Sequence, residues 1–333
     1  MDNTTLQMPP GLSLHLAIDR PDLWDEARTD PTHELWIWLR DPWNNGSSRM
    51  RFWKEIEELD ELKRYQAMVV RDSDNAVVAT ANCVPFFCPE LAKDSTSSEW
   101  FSSLPDGGWD TILARGVRQA QARESVPLLD AHLWTEDQRR DSPVAYLRDL
   151  PNALSGLYVQ VSESYRGLRI ADVLLANFKE LARRNNLKTV VVPLRPTMKC
   201  KYQNVHPEQY FSWVQGKPNE SGFTWSPTEA SDAQNPLPFD PWLRKHIRMG
   251  ARVAKIAPES FKLEGTAAQW QQWLGQENVL LNETVGEKSG QVAFSGENVE
   301  GKALDWFNDT VKWDPKTQTG RYLESDIWVV HDV

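Results

Sequence analysis

Cysteine is scarce: the 333-residue chain has 3, Cys83, Cys88 and Cys200, with no CxxC pair and no neighbouring histidine cluster. A sparse, odd count excludes a disulfide framework and a structural zinc site. Several catalytic signatures are missing as well. There is no Gly-x-Ser-x-Gly elbow of a triad hydrolase, no Walker or nicotinamide fingerprint, and no HExxH helix. No apolar run approaches a membrane span, and the opening MDNTTLQMPPGLSLHLAIDRP has no basic stretch leading into a long apolar one. A cytoplasmic protein is therefore expected. Positive charge is in short supply too: 37 Lys and Arg against 47 Asp and Glu leave a net charge of −10. That balance disfavours nucleic acid and anionic membranes as partners and mildly favours a cationic amine.

Tryptophan is abundant, at 16 residues. Rings in that number fill a large core, and some of them are expected to line a groove or pocket for an apolar ligand. Hydrophobic content of 40% and charged content of 25% suit an ordinary globular interior. The length fits one enlarged domain, or a core with appendages.

Along the chain, Leu12 to Ile18 reads as a strand and Trp53 to Tyr65 as a surface helix. Two β-rich runs separated by Asp72 to Asn75 form a hairpin. Residues 87–104 read as irregular linker, Trp109 to Arg123 as a helix, and the charged segment from Ser125 to Leu150 as an insertion over one end of the core. Leu154 to Val161, Ile170 to Leu181 and Lys188 to Leu194 follow as strand, helix and strand, a βαβ unit. About thirty-five residues dense in proline, asparagine and aromatics come next, a length that argues for a packed flap over a pocket. Asp240 and Pro241 then mark a helix start, Gly250 marks its end, and Ala251 to Ile256 forms a strand. Thr266 to Leu274 reads as a short helix, and Asp326 to His331 as a closing strand with His331 at its surface end.

The turn of the βαβ unit, Ser162-Glu163-Ser164-Tyr165-Arg166-Gly167-Leu168-Arg169-Ile170-Ala171, aims the first amides of a helix outward, which makes an anion site. It resembles the pyrophosphate loop of the GNAT superfamily of acetyl-CoA-dependent N-acyltransferases, which reads Gln/Arg-x-x-Gly-x-Gly/Ala. Laid on that pattern, Arg166 opens the loop, Gly167 and Leu168 fill the free positions, Ile170 is the spacer and Ala171 closes. Arg169 stands where the family has its central glycine, and it either crowds the loop or offers a guanidinium to the pyrophosphate. RPTMKCKY, DPWLRKHIRMGARV, LPDGGWD and GRYLESDIWVVHD are similar to a group of uncharacterised bacterial GNAT-type proteins, so the resemblance spans roughly residues 60–333.

The resemblance implies an α/β (α+β) GNAT fold: a central mixed, mostly antiparallel twisted sheet flanked by helices, with large insertions. It would be a single enlarged domain over 1–333. Residues 1–60 supply the N-terminal strand and helices, 67–194 the hairpin and cofactor unit with the insertion 87–150, 195–238 the aromatic flap, and 239–333 the C-terminal helix, strands and extension. The implied activity is acyl transfer, with acetyl-CoA or another acyl-CoA as co-substrate and a small-molecule amine as acceptor, possible in secondary metabolism, by a monomer or homodimer.

Pantetheine would bond to backbone near Val159 to Val161 and pyrophosphate to 166–171. His246 occupies the place of the family's general-acid tyrosine, and an imidazole with an unperturbed pKa can do that work. Glu163, Asp130 and His132 are candidates for the base. A GNAT-fold protein that has lost CoA-dependent transfer, and binds or converts a hydrophobic metabolite in a Trp-rich pocket, is the alternative. A third reading, an interaction protein, requires the tryptophans to be exposed.

Overall fold

The computed structural model describes residues 7–40, 44, 49–93, 99–125, 149–216, 237–274, 291–292, 307–308, 311–314 and 316–333. Most of the insertion, with Asp130 and His132, and the 217–236 part of the flap, with Phe223 and Trp225, lie outside the described residues.

Apolar and β-branched runs at period two fold into strands wherever both faces can be covered. In chain order the elements are β1 (Leu12–Leu16), α1 (Pro21–Thr29), α2 (Arg49–Glu58), α3 (Asp60–Lys63), β2 (Ala67–Arg71), β3 (Val77–Phe86), α4 (Pro89–Lys93), α5 (Gly108–Ser125), β4 (Ala153–Val161) and α6 (Ile170–Arg184). They continue with β5 (Thr189–Leu194), α7 (Pro207–Phe211), α8 (Pro241–Arg248), β6 (Arg252–Thr266), α9 (Ala267–Leu274), β7 (Gln291–Val292), β8 (Val311–Asp314) and β9 (Thr319–Asp332). One mixed sheet runs β1-β2-β3-β4-β5-β9-β8-β7, with β6 also on β9. Every pairing among the described strands is antiparallel except β4 with β5.

Each face of the sheet has its own core. On one, α6 lays Leu174, Phe178 and Leu181 over Val190, Val192 and Val329. On the other, α2 and α5 bring Trp53, Ile112 and Val117 against Val84, Val191 and Trp328. Each side chain of this size contributes about 1.5–3 kcal/mol when withdrawn from water. A third cluster packs Trp24 and Trp36 against Met68 and Val70. Among the described residues no helix is long and apolar enough to cross a membrane.

Four readings of the sequence are corrected. The helix over 53–65 breaks at Leu59, whose backbone is extended, and Asp60 and Glu61 open a new helix where acidic side chains favour the N-terminus. The described residues of the segment 87–104 are not irregular linker: α4 and a 3₁₀ turn at Glu99–Ser103 form there, and Leu91, Trp100, Phe101 and Leu104 are buried. The strand after Gly250 runs on to Thr266, its polar outward residues having hidden the alternation. The closing strand starts at Thr319 and lies inside the sheet, between β5 and β6.

Glu57 joins two of these cores. It is buried, and one carboxyl oxygen, Oε1, accepts the indole N–H of both Trp36 and Trp53 at 2.9 Å. Burial raises its pKa to about 7, against the pull of the two indoles and Arg28. A carboxyl whose folded pKa lies above its unfolded value stabilises the fold at low pH and loses that contribution as pH rises from 4.5 to about 7. Glu57→Gln keeps an acceptor without the charge. Measured by denaturant unfolding, its stability relative to wild type is expected to rise by about 3 kcal/mol across that window and to level off above it.

Candidate active site

The parallel pair β4 and β5 is short. It holds at Ala153 with Thr189, Leu154 with Val190 and Ser155 with Val191, and then the strands part. A bulge in β4 turns it away: Gly156 faces Cys83 and Tyr158 faces Asn82, leaving Leu157 without an opposite residue. Bulges sharpen local twist. The Leu157 carbonyl is held by the indole N–H of Trp109 at 2.8 Å, which fixes the bend from outside the sheet. β5, by contrast, stays on β9 from Thr189 to Leu194.

A cavity of about 320 Å³ fills the wedge and passes through the sheet. Ala171, Leu175, Phe178, Trp242 and His246 line it on the α6 side. On the α5 side it is lined by Trp38, Trp109, Phe261, Phe307, Glu324 and Asp326. Val159 and Val161, half-buried on the length of β4 that pairs with β3 but not with β5, line the middle.

The 166–171 loop borders the α6 side, where Ala171 is its one residue in the cavity wall. Gly167 has φ 85° and nothing within 4 Å of where a Cβ would stand, so the loop is open to a bulky group. Arg169, directly before α6, takes the left-handed conformation at φ 62° and ψ 15°. Its side chain is 73% exposed and donates to Asp172 at 3.0 Å, and Lys245 of α8 pairs with the other Asp172 oxygen. Arg169 therefore does not crowd the loop. Ile170 is buried in the core beneath it, while Arg166 and Leu168 are exposed. The first helical amides have no carbonyl one turn behind them, so loop, amides and three cations (Arg166, Arg169 and Lys245) fit a pyrophosphate.

Asp240 fixes α8. Its Oδ1 accepts the amides of Trp242 and Leu243 at 2.9 and 3.1 Å. Its Oδ2 accepts the Thr197 amide at 2.8 Å and the Tyr210 hydroxyl at 2.7 Å, tying the helix start to the chain leaving β5. With Pro241 at the first turn, this cap aims Trp242 and His246 into the cavity.

His246 is completely buried, and its Nδ1 lies 2.9 Å from His331 Nε2. Its own Nε2 is buried without a partner among the described residues. Burial first, then His331 and Lys245, hold its pKa well below the imidazole value. Burial lowers His331 to about 4. Both expectations for these histidines need correcting: His246 is not an unperturbed imidazole, and His331 is not at the surface. They form a neutral buried pair. Glu163 is exposed on the turn after β4 and is not part of the cavity wall, so the structure separates it from His246.

Sequence reasoning missed the far end. Tyr322, Glu324 and Asp326 alternate on one face of β9, and two carboxylates inside an otherwise apolar strand, YLESDIWVV, were the available signal. Arg195 closes on Glu324 with Nε at 2.6 Å and Nη2 at 2.8 Å, and the Tyr322 hydroxyl adds a third bond. Asp326 has no such cation. Among the described residues no group of histidine, cysteine and carboxylate side chains could hold a metal ion.

The sequence has a counterpart among known proteins. The chain is 29% identical over 333 residues to Arginine N-acetyltransferase avaD of Aspergillus versicolor, covering 98% of this chain and 96% of that one. The chain is thus similar over nearly its whole length to an N-acetyltransferase. No family model matches it. The loading GNATL domain of CurA from Lyngbya majuscula is 13% identical at TM-score 0.41, covering 96% of this chain and 97% of that chain. A polyamine N acetyltransferase of Drosophila melanogaster is 9% identical at 0.37, covering 97% and 100%. Likenesses of that size carry no argument about this chain.

Gly156 sits in the crotch of the wedge. A Cβ there would meet Phe178 at 2.9 Å and Val192 at 3.1 Å, both packed side chains. Gly156→Ala is expected to cost about 1–3 kcal/mol, read as a lowered unfolding midpoint, by driving Phe178 toward the cavity.

Proposed function

We propose that the protein transfers an acyl group, acetyl first among those to be tried, from acyl-CoA to the nitrogen of a small-molecule amine. The through-sheet cavity carries this reading, because a co-substrate entering at α6 and an acceptor entering at α5 would meet in the wedge without sharing a mouth. The 166–171 loop with Lys245 would hold the pyrophosphate, and the edge of β4 that β5 leaves free, Val159 to Val161, would bond the pantetheine amides. Acyl-CoA supplies the activated carbonyl. Backbone N–H groups of β4 would stabilise the oxyanion. The name of the relative from Aspergillus versicolor makes arginine the first acceptor to test.

His246 is assigned the proton. A neutral imidazole can donate or accept at Nε2, and the tautomer is set by which nitrogen of the His246–His331 contact carries the shared hydrogen. Nε2 with a free lone pair, set by His246 Nδ1–H donating to His331 Nε2, would accept the proton that the amine loses on forming the amide and pass it to the sulfur as the C–S bond breaks. Because the pair is neutral, that lone pair is available without prior loss of a proton to solvent.

Calorimetric titration with acetyl-CoA tests the reading. Micromolar binding is expected for wild type and, within about threefold, for Arg169→Gly, since the exposed Arg169 guanidinium is screened by solvent and already paired with Asp172, so its charge adds little to that of Arg166 and Lys245. Absence of binding by wild type with gain in the glycine variant would overturn it. His246→Phe should bind acetyl-CoA as wild type does and lower kcat by about 10²-fold, measured as thiol release with a reactive acceptor.

A further inference from the structure

Asp326 is 2% exposed, lies in the cavity wall, and is used by nothing in the steps above. It sits at the irregularity where β6 and β9 shift register between Ala257 and Phe261. The extra length of β6 brings Ser260 against it. The Ser260 hydroxyl accepts the Trp109 amide at 2.8 Å and donates to Asp326 Oδ2. With the hydroxyl hydrogen committed to Oδ2, the other oxygen, Oδ1, is buried with no partner among the described residues.

An unpaired buried carboxylate oxygen costs stability, and in the wall of a cavity a ligand's donor can recover that cost. The neighbouring carboxylate cannot share that work. Glu324 is already matched by Arg195 on both oxygens, so its charge is met. Trp109, Phe261 and Phe307 line the same end of the cavity. Flat aromatic walls suit a planar, weakly hydrated cation better than a compact, strongly hydrated ammonium.

We infer that Asp326 binds a guanidinium on the acceptor, holding it through the free Oδ1 at the α5 end of the cavity. This deepens the acyl-transfer reading and rests on it for the word acceptor, while the binding itself stands on the carboxylate. Asp326 is a binding residue, and the nitrogen that reacts lies toward the wedge.

Burial pushes the Asp326 carboxyl well above the usual carboxylate range, nearby Glu324 and Asp110 add to that push, and Ser260 and Arg195 oppose it. The free site is thus expected to carry a proton that the incoming cation expels. Binding should release up to one proton and weaken as pH falls.

The test is calorimetric titration of the full chain, without CoA, with arginine, citrulline and lysine, in two buffers of different ionisation enthalpy. Citrulline replaces the guanidinium by an uncharged urea of nearly the same shape, and lysine offers an ammonium. Arginine is expected to bind at least tenfold more tightly than either, with proton release. Asp326→Asn should weaken arginine by about 30-fold or more, abolish proton release, and leave acetyl-CoA affinity within twofold. Citrulline or lysine equal to arginine, no arginine binding, or an Asp326→Asn variant with wild-type affinity would each overturn the inference. The citrulline comparison uses wild type alone and stands even if the variant fails to fold. Arginine binding without acetyl-CoA binding would sink the transfer reading and leave Asp326 assigned, whereas acetyl-CoA binding without arginine binding would do the reverse.

Discussion

The parting of β4 from β5 after three residue pairs is the constraint on which the rest depends. A fully zipped parallel pair would bury both strand edges and leave no room between them. The bulge at Leu157, clamped by Trp109, bends one strand while β9 holds the other straight. The unpaired backbone this exposes would be costly in a closed core, because amides and carbonyls left without partners each forfeit a hydrogen bond. It is tolerable at a cavity that water or a ligand's amides can enter. Gly156 matters for the same reason, since a single methyl at the crotch would meet Phe178.

β9 explains why such a cavity can have chemically distinct ends. Successive residues of a strand face opposite sides. Ile327 and Val329 join the core under α6, and His331 beyond them meets His246, whereas Tyr322, Glu324 and Asp326 face the end lined by Trp109 and Phe261. One strand therefore supplies a neutral imidazole to one face and carboxylates to the other. Burial acts on both with opposite consequences: it keeps the histidines uncharged, and it leaves Asp326 as a group that only an arriving cation can fully satisfy.

The βαβ unit, the hairpin and the Asp240-Pro241 helix start were legible in sequence because each depends on local pattern: period two, period 3.6, and a cap. The histidine pair was not legible. His246 and His331 are 85 residues apart, and nothing near either predicts the other. Asp326 was hidden for a related reason. An acidic residue near a strand end reads as solvated until the strand is known to run through the middle of a sheet, and β9 looked short because Gly320, Arg321 and Ser325 interrupt its apolar run.

Arg169 shows how a pattern can be matched in conformation while departing in residue type. Glycine is favoured in such a loop because it enters the left-handed region without strain, and a residue with a Cβ pays roughly 1–2 kcal/mol to do so. Arg169 adopts that conformation nonetheless. Its ion pair with Asp172, itself gripped by Lys245, recovers part of that cost, though the exposure of the guanidinium limits the recovery to a few tenths of a kcal/mol. The remaining strain persists because Ile170 on one side is locked in the core and Gly167 on the other takes up the turn. A loop held by its neighbours in this way keeps its amides facing outward, and the arginine adds a positive charge beside them that glycine could not provide.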